Sequence, residues 1–425
     1  RMMKDSTIII SEPYEGMPAA EVGLKAGDVL LKIDDEDLKG KATADVSNLL
    51  RGEPGTTFVL KYQRPGEAKP KEVKITRKNI KLPAIPYYGM VSPTVGFIHL
   101  NQFTSDCYGY VRKALISLKE KGAQSLILDL RGNGGGYLEV ACGLANEFIS
   151  RGKLLVYQQG RTVKRRDYRT NWRGSFREGR LVVLIDENSA SASEIVSGAV
   201  QDWDRGLIIG RRSFGKGLVQ SLFNLDDGAQ IRLTTARYYT PSGRCIQKPY
   251  SDYENEYSLR YKRGELFSAG SIHFADSLKC YTLRKHRLVY GGGGIMPDEF
   301  IPLDTTKYTK FHNEMAAKSI IITQSLRYID NNRKSLKKLY PTFNDFMAKY
   351  EVPQSYINTI IDAAAKENVK PKDDEELKQT MPMLKVQLKA LVARDIWDMS
   401  EYFHIINESS DIVQKAIEVI KGKKL

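Results

Sequence analysis

Three short segments hold the residue types that do chemistry. The first is Asp129-Leu130-Arg131-Gly132-Asn133-Gly134-Gly135-Gly136, placed between an apolar run and a helical pattern. Glycines in such a turn let backbone N–H groups approach an anion, although a plain tight turn uses the same residues. The second is Glu187-Asn188-Ser189-Ala190-Ser191-Ala192-Ser193-Glu194-Ile195. It puts a serine hydroxyl at a helix mouth, where free N–H groups and the helix dipole stabilise a developing oxyanion. Serine is equally at home there as an N-cap, and on this ground Ser189, Ser191 and Ser193 all stand as candidates. The third segment, Gly210 to Gln220, nearly spells a P-loop, but Gly217 takes the place of the magnesium-binding hydroxyl. Leu218 to Phe223 then reads as a strand, so no helix N-terminus follows to cradle a phosphate, which argues against nucleotide binding. With no well-placed histidine and no G-x-S-x-G elbow, the remaining chemistry for Lys216 is that of a base for a serine nucleophile. A lysine amine is a base only when neutral, which calls for desolvation by neighbours such as Phe214. A solvent-exposed Lys216 would do nothing.

These segments need a scaffold, and from residue 95 onward strands and helices alternate. Strands are expected at Val95 to Leu100, Ser125 to Leu130, near Lys153 to Tyr157 and at Leu181 to Asp186. Helices are expected over Tyr108 to Lys121, from the glycine turn to about Ser150, and from Ser191. This is an α/β layer, with chemistry in the loops that follow apolar strands. Residues 83 to 93, with Pro83, Pro86, Gly89 and Pro93, read as a stiff linker. Residues 7 to 80 read as a small β-rich module. It opens with a strand from Thr7 to Ile10 and a turn at Glu15-Gly16, then a short helix stopped by Gly23 and a turn at Ala26-Gly27-Asp28. A helix carrying Val46, Leu49 and Leu50 ends at Gly52, before strands at Thr57 to Tyr62 and Glu72 to Thr76 joined across Pro65-Gly66. After Pro302 the pattern is almost wholly helical, broken at Pro341, Pro353, Pro371 and Pro382. The expected domains are therefore 1–80, 81–304 and 305–425.

Length and composition agree with that division. The 425 residues exceed one ordinary core, and the 41% hydrophobic and 27% charged fractions describe a folded globular chain. No window reaches the roughly 18 apolar residues of a membrane-spanning helix. Lys and Arg outnumber acidic residues 65 to 51, a net charge of +14, which raises an anionic partner, either nucleic acid or a membrane surface. The basic stretches Arg161 to Arg169 and Arg284 to Arg287 are short and lack a zinc, helix-turn-helix or stacking motif. Nucleic acid is not expected, and dispersed surface charge is the favoured reading over membrane-surface association. Cys107, Cys142, Cys245 and Cys280 are too few and too scattered for a disulfide scaffold or a CxxC site, so free thiols are expected, with Cys245 and Cys280 the one pair that oxidation would join. The five histidines are scattered and there is no HExxH, so no metal is expected. The opening at Arg1, without a signal segment, reads as a fragment or processed form.

The stretch PAAEVGLKAGDVLLKID (residues 18–34) resembles the PDZ domains of bacterial proteases. Such a domain binds a peptide by strand addition and captures its terminal carboxylate. The family's carboxylate loop and first strand would precede Arg1, making this copy N-terminally incomplete. Adding DLRGNGGG, ENSASASEI, FGKGLVQ, LTTARYYTPSGRCIQ and GGGGIMPD gives an ordered set over residues 7 to about 300. That set resembles the C-terminal processing peptidases, or tail-specific proteases, which are serine proteases with a Ser–Lys dyad. The resemblance implies an α/β catalytic domain built as the β-β-α superhelix shared with crotonase-like enzymes and the Clp peptidase. It implies Ser191 as nucleophile, Lys216 (25 residues on) as general base, and Gln220 as the residue orienting the amine. The oxyanion hole would be Ala192 N–H with an N–H of the Gly134–Gly136 turn, Gly135 by preference, and Glu194 and Asp202 would support.

Further implications are a protein or peptide substrate with a free C-terminus, a PDZ domain that recognises or gates it, no metal or organic cofactor, and a bacterial envelope location, periplasmic by family. The sequence departs from the family in lacking its N-terminal helical region and in carrying a long irregular insertion, about Ser251 to Arg287. The helical tail resembles the family only loosely, and its amphipathic helices are expected to pair into a homodimer. Two rivals remain. A crotonase-like acyl-CoA enzyme has no use for Lys216 or a PDZ domain, and a catalytically silent PDZ adaptor has no use for the dyad.

Overall fold

The computed structural model describes residues 8–10, 13, 17–25, 28–64, 67–80, 83–250 and 255–422. The N-terminal part forms β1 (Ile8–Ile9), α1 (Pro18–Glu21), β2 (Val29–Ile33), β3 (Glu36–Asp37), α2 (Thr43–Leu50), β4 (Thr57–Gln63) and β5 (Lys71–Thr76). The central part begins with β6 (Tyr87–Ser92), β7 (Val95–His99), α3 (Cys107–Glu120), β8 (Ser125–Asp129), α4 (Leu138–Phe148), β9 (Leu154–Gln159) and β10 (Arg166–Arg169). It continues with β11 (Arg180–Ile185), α5 (Ala192–Asp202), β12 (Leu207–Gly210), β13 (Leu218–Asn224) and β14 (Gln230–Tyr239). Then come α6 (Glu256–Lys262), β15 (Lys279–Tyr281), β16 (Leu288–Tyr290) and β17 (Glu299–Phe300). The rest is α7 (Lys310–Ala317), α8 (Ile320–Leu339), α9 (Phe343–Lys349), α10 (Gln354–Lys366), α11 (Asp374–Ile396), α12 (Met399–Glu408) and α13 (Asp411–Lys421). The turns expected at Glu15-Gly16, Ala26-Gly27 and Pro65-Gly66 lie outside the described residues.

The chain divides into two compact units, residues 1–82 with 305–402 and residues 83–304 with 403–425. In the first, an antiparallel sheet runs β1-β2-β4-β5, with β3 on β2. Phe58, Leu60 and Tyr62 of β4 alternate inward with the period of two that a half-buried strand requires, meeting Leu30, Ile33 and Val46. The helices of this unit bury one stripe each, as α10 does with Tyr356, Ile357, Ile360 and Ala364.

The second unit is built on a six-stranded sheet ordered β17-β12-β11-β8-β7-β6, parallel except for the β6–β7 pair. Its inner strands β7, β8, β11 and β12 are largely buried and apolar on both faces, as strands covered on both sides must be. Leu126, Leu128, Val183 and Ile185 face a core shared with α3, α4 and α5. The intervening Ile127, Val182, Leu184 and Ile209 face Ile412, Val413, Ala416, Ile417 and Ile420 of α13. A second, antiparallel sheet runs β10-β9-β14-β13.

Three expectations need correcting. Residues 83–93 are no plain linker, because 87–92 form edge strand β6 against β7. Pro86 and Pro93 bracket it, where no ladder N–H is needed. The helical region 305–425 is not one body, because α13 presents its apolar stripe to the six-stranded sheet and residues 403–425 go with that sheet. The insertion is not irregular throughout, because its described residues hold α6 and the first strand of the β15–β16 hairpin.

Candidate active site

Strands β8, β11 and β12 are adjacent and parallel, so the loops leaving their carboxyl ends emerge side by side. Those loops are the three motif segments. The hydrogen bonds that lock them use the one residue of the glycine run with a bifunctional side chain, Asn133. Its carbonyl accepts from Ala190 N–H (3.0 Å) and Ser193 Oγ (2.8 Å), and its amide Nδ2 donates to the Leu100 carbonyl (2.7 Å). Asp186 adds a link from the serine loop by accepting the Gly132 N–H at 2.9 Å. The lysine loop is tied in by Phe214 N–H to the Ser189 carbonyl (2.9 Å) and by Arg211 Nε to Glu187 (2.7 Å).

The three serines separate clearly. Ser189 Oγ donates to the Leu130 carbonyl (2.8 Å) and Ser193 Oγ to the Asn133 carbonyl, and both residues are fully buried. Ser191 is partly exposed and sits at the mouth of α5 with φ 56° and ψ −109°. A residue with a Cβ reaches that region only at a cost of about 1–3 kcal/mol, a strain that collects at functional positions. Gly135, at φ +105°, makes room for it, since a Cβ there would come within 2.8 Å of both Ser191 Cβ and the Ala190 carbonyl, and within 3.0 Å of Ala192 N.

Glu194 is the centre of the arrangement. Its fully buried carboxylate accepts the Ser191 N–H (2.8 Å) and Lys216 N–H (2.8 Å) on one oxygen, and Gly215 N–H (2.7 Å) and Ser213 Oγ (2.5 Å) on the other. The backbones of Ser191 and Lys216 are therefore within two hydrogen-bond lengths of each other. Burial pushes the Glu194 carboxyl above the usual carboxylate range, against the four hydrogen bonds, which oppose the shift. Lys216 is partly exposed, and its amine makes no hydrogen bond to the Ser191 hydroxyl among the described residues. Apo geometry is often looser than the reacting state.

Other expected residues fall elsewhere. Gln220 is exposed on β13, just past a register shift between Val219 and Gln220, with no hydrogen bond to Lys216. The Gly135 N–H is occupied by Asn133 Oδ1 at 2.9 Å, which leaves the Ala192 N–H as the donor beside Ser191 that is not so engaged. Asp202 is at the far end of α5, ten residues or about 15 Å from Ala192. There it pairs with Arg244 at 2.7 Å, both side chains fully buried, and accepts the Ser242 N–H. Asn133 and Ser213 were missed, although both lie inside the motifs and carry side chains able to tie one loop to another. Asp129, at the end of β8, meets the Arg131 guanidinium (2.6 Å) and His99 (3.1 Å). Burial would raise its carboxyl, but these partners prevail and hold it well below the usual range. Among the described residues no cluster of His, Cys, Asp and Glu is arranged to hold a metal ion, and no helix is long and apolar enough to cross a membrane. All four cysteines are free thiols.

Fold and loops together define a mixed α/β core with its chemistry at the carboxyl ends of parallel strands, a second module of antiparallel strands, and a helical region. Residues 94–254 match Peptidase family S41, and residues 9–64 match a PDZ domain. Residues 311–398 match a family of unknown function (DUF8443). The chain is similar to a "Carboxy-terminal-processing protease" of Bartonella bacilliformis, 38% identical over 253 residues, covering 58% of this chain and 57% of that one. It is 33% identical over 244 residues to a "Probable CtpA-like serine protease" of Staphylococcus aureus, covering 57% of this chain and 48% of the relative. Among solved structures it matches a photosystem II D1 C-terminal processing protease at 27% identity and a TM-score of 0.40, over 70% of this chain and 68% of that one. The chain thus spans about half the length of the curated relatives it matches.

Proposed function

We propose that the chain is a serine-type endopeptidase that cleaves unfolded or tagged proteins near their C-termini, using Ser191 and Lys216. The observation that carries this reading is the single Glu194 oxygen that accepts both the Ser191 and the Lys216 N–H. It fixes the roots of a nucleophile and a base beside a helix mouth, leaving the lysine stem to close the remaining gap. In the reaction, the Lys216 amine takes the Ser191 proton as Oγ attacks the scissile carbonyl, and the Ala192 N–H meets the oxyanion. Collapse of the tetrahedral species breaks the C–N bond, and Lys216 returns the proton to the leaving amine. Water, deprotonated by the same amine, then hydrolyses the acyl ester and frees Ser191. A second oxyanion donor from Gly135 requires its N–H to be shared with, or released from, Asn133. Gln220 would reach the amine only after a similar local adjustment.

Substrate form follows from β13. It is an edge strand that begins two residues after Lys216 and exposes Leu222 and Phe223, so an extended chain can add to it as a further strand. The PDZ domain, by its general mode, would recognise the free C-terminus and gate the reaction, and a bacterial envelope location belongs to the same proposal. The β-β-α superhelix of crotonase-like enzymes and the Clp peptidase is the proposed wider kinship of the core, and pairing through the helices beyond residue 305 the proposed route to a dimer.

The test is digestion of an unstructured protein of known tail, with products identified by mass spectrometry. Wild type is expected to give fragments that Ser191→Ala does not, and identical fragments from both would end the peptidase reading. Adding a peptide that mimics the substrate's C-terminus is expected to raise the rate of cleavage; a rate that ignores the peptide removes gating while leaving catalysis in place. The second reading, a latent enzyme, draws on the engaged Gly135 N–H and corresponds to cleavage only when that peptide is present.

A further inference from the structure

The lysine loop is held from two sides, and only one of them belongs to the motifs. Toward the α5 mouth its amides, Gly215 and Lys216 N–H, point at Glu194. On the other side three consecutive carbonyls, those of Arg212, Ser213 and Phe214, point at a guanidinium. Arg260 Nη1 donates to Ser213 (2.8 Å) and Arg212 (3.3 Å), and its Nη2 donates to Phe214 (3.1 Å). Arg260 is carried by α6, inside the insertion, and is only 2% exposed. Its Nε is oriented by Glu256 at 2.8 Å, one helical turn earlier. The neighbouring Arg212 is itself paired with Glu265, on the same insertion. The loop is thus a short run of peptide dipoles stretched between a cation at its carbonyl side and an anion at its amide side. Only arginine, with five donors in a rigid fork, can satisfy three carbonyls and a carboxylate together.

We propose that Arg260 is a positioning residue for Lys216, making the insertion a clamp on the catalytic loop rather than a surface elaboration. The proposal rests on the peptidase reading of Ser191 and Lys216. Truncating the clamp leaves three inward-facing carbonyls without their donor, so the loop shifts to find water, and the amine at its end loses its aim at Ser191.

The experiment compares full-length wild type, Arg260→Ala and Arg260→Lys by steady-state cleavage and by hydrogen exchange at the Gly215 and Lys216 amides. Arg260→Ala is expected to lower kcat about a hundredfold, the scale of a displacement of about 1 Å, while KM stays within about twofold. Exchange at the two amides is expected to quicken, and added methylguanidinium to restore part of the lost kcat. Lysine, a point charge, is expected to give intermediate values, and it carries the test if the alanine variant does not fold. Wild-type kcat and unchanged exchange in the folded variant overturn the clamp. A fall in folded fraction with kcat per folded molecule unchanged overturns it too, since that marks a purely structural arginine. Should wild type fail to cleave at all, the peptidase reading falls, and the exchange rates still decide whether Arg260 holds the loop.

Discussion

Helix α5 buries a carboxylate at each end, and the two are satisfied in opposite ways. Glu194, in the first turn, is ringed by neutral donors, three backbone amides and a hydroxyl, from two loops. Asp202, in the last turn, meets a buried guanidinium, that of Arg244, which also donates to Gln201 and to the Tyr290 carbonyl. The amide-ringed carboxylate fixes where backbones lie, because each N–H is directional and belongs to a segment that could otherwise drift. The ion-paired one fixes that two elements stay together and is indifferent to the geometry at the other end of the helix. Residues of like type on one helix thus divide into a determinant of geometry and a determinant of cohesion.

The largest effect should come from the cohesive end. Asp202→Ala leaves Arg244 buried and uncompensated, a loss of about 3–5 kcal/mol of stability. Urea unfolding reads it, and kcat on the folded fraction should remain near wild type. A kcat that collapses with stability intact would return Asp202 to the site. At the other end, Glu194→Gln keeps the shape but turns an amide NH2 toward backbone donors, so at least one loop contact must break. About a hundredfold loss in kcat is expected, equivalent to about 2.7 kcal/mol on the barrier, with a smaller change in melting temperature. If the variant instead melts far earlier and retains kcat, the division between the two ends is wrong.

The sequence displayed the site as three loops because glycine, small residues and a lone lysine are chemically distinctive, and strand limits fell within a residue or so for the same reason. Expected strand Leu181 to Asp186 compares with Arg180–Ile185, and the helix expected from Ser191 begins at Ala192. What was not legible is long-range. The stripe Ile412, Val413, Ala416, Ile417, Ile420 announces an amphipathic helix but not its partner, and the partner turned out to be the six-stranded sheet. Ser191's backbone angles, the occupied Gly135 N–H and the reach of Arg260 across 46 to 48 positions all depend on how separate segments pack, which no local pattern encodes. Gln220 was expected from the family pattern, and the register shift that immediately precedes it in β13 is not written in its local sequence.

The smallest effect tests whether charge near the lysine loop can be tuned without touching the two carboxylates. Lys248 donates its backbone N–H to the Gly215 carbonyl (3.0 Å) and sets its amine 3.8 Å from the centre of the Phe214 ring. Burial lowers the amine to about 8, with Arg260 and Arg212 helping and Glu256 and Glu194 opposing. The unfolded chain holds that proton until about pH 10.4. Below about pH 8 both states are charged, so the folded protein carries a constant penalty and Lys248→Met should be the more stable by roughly 1–2 kcal/mol, the lost contact with the ring set against it. Between about pH 8 and 10.4 the unfolded state binds a proton that the folded state has released, so wild type gains on the variant as pH rises. Thermal melts of both proteins from pH 6 to 10 give the difference directly. A gap that closes above pH 8 marks Lys248 as a tunable cation against the loop, whereas a gap that stays flat means its amine remains protonated throughout.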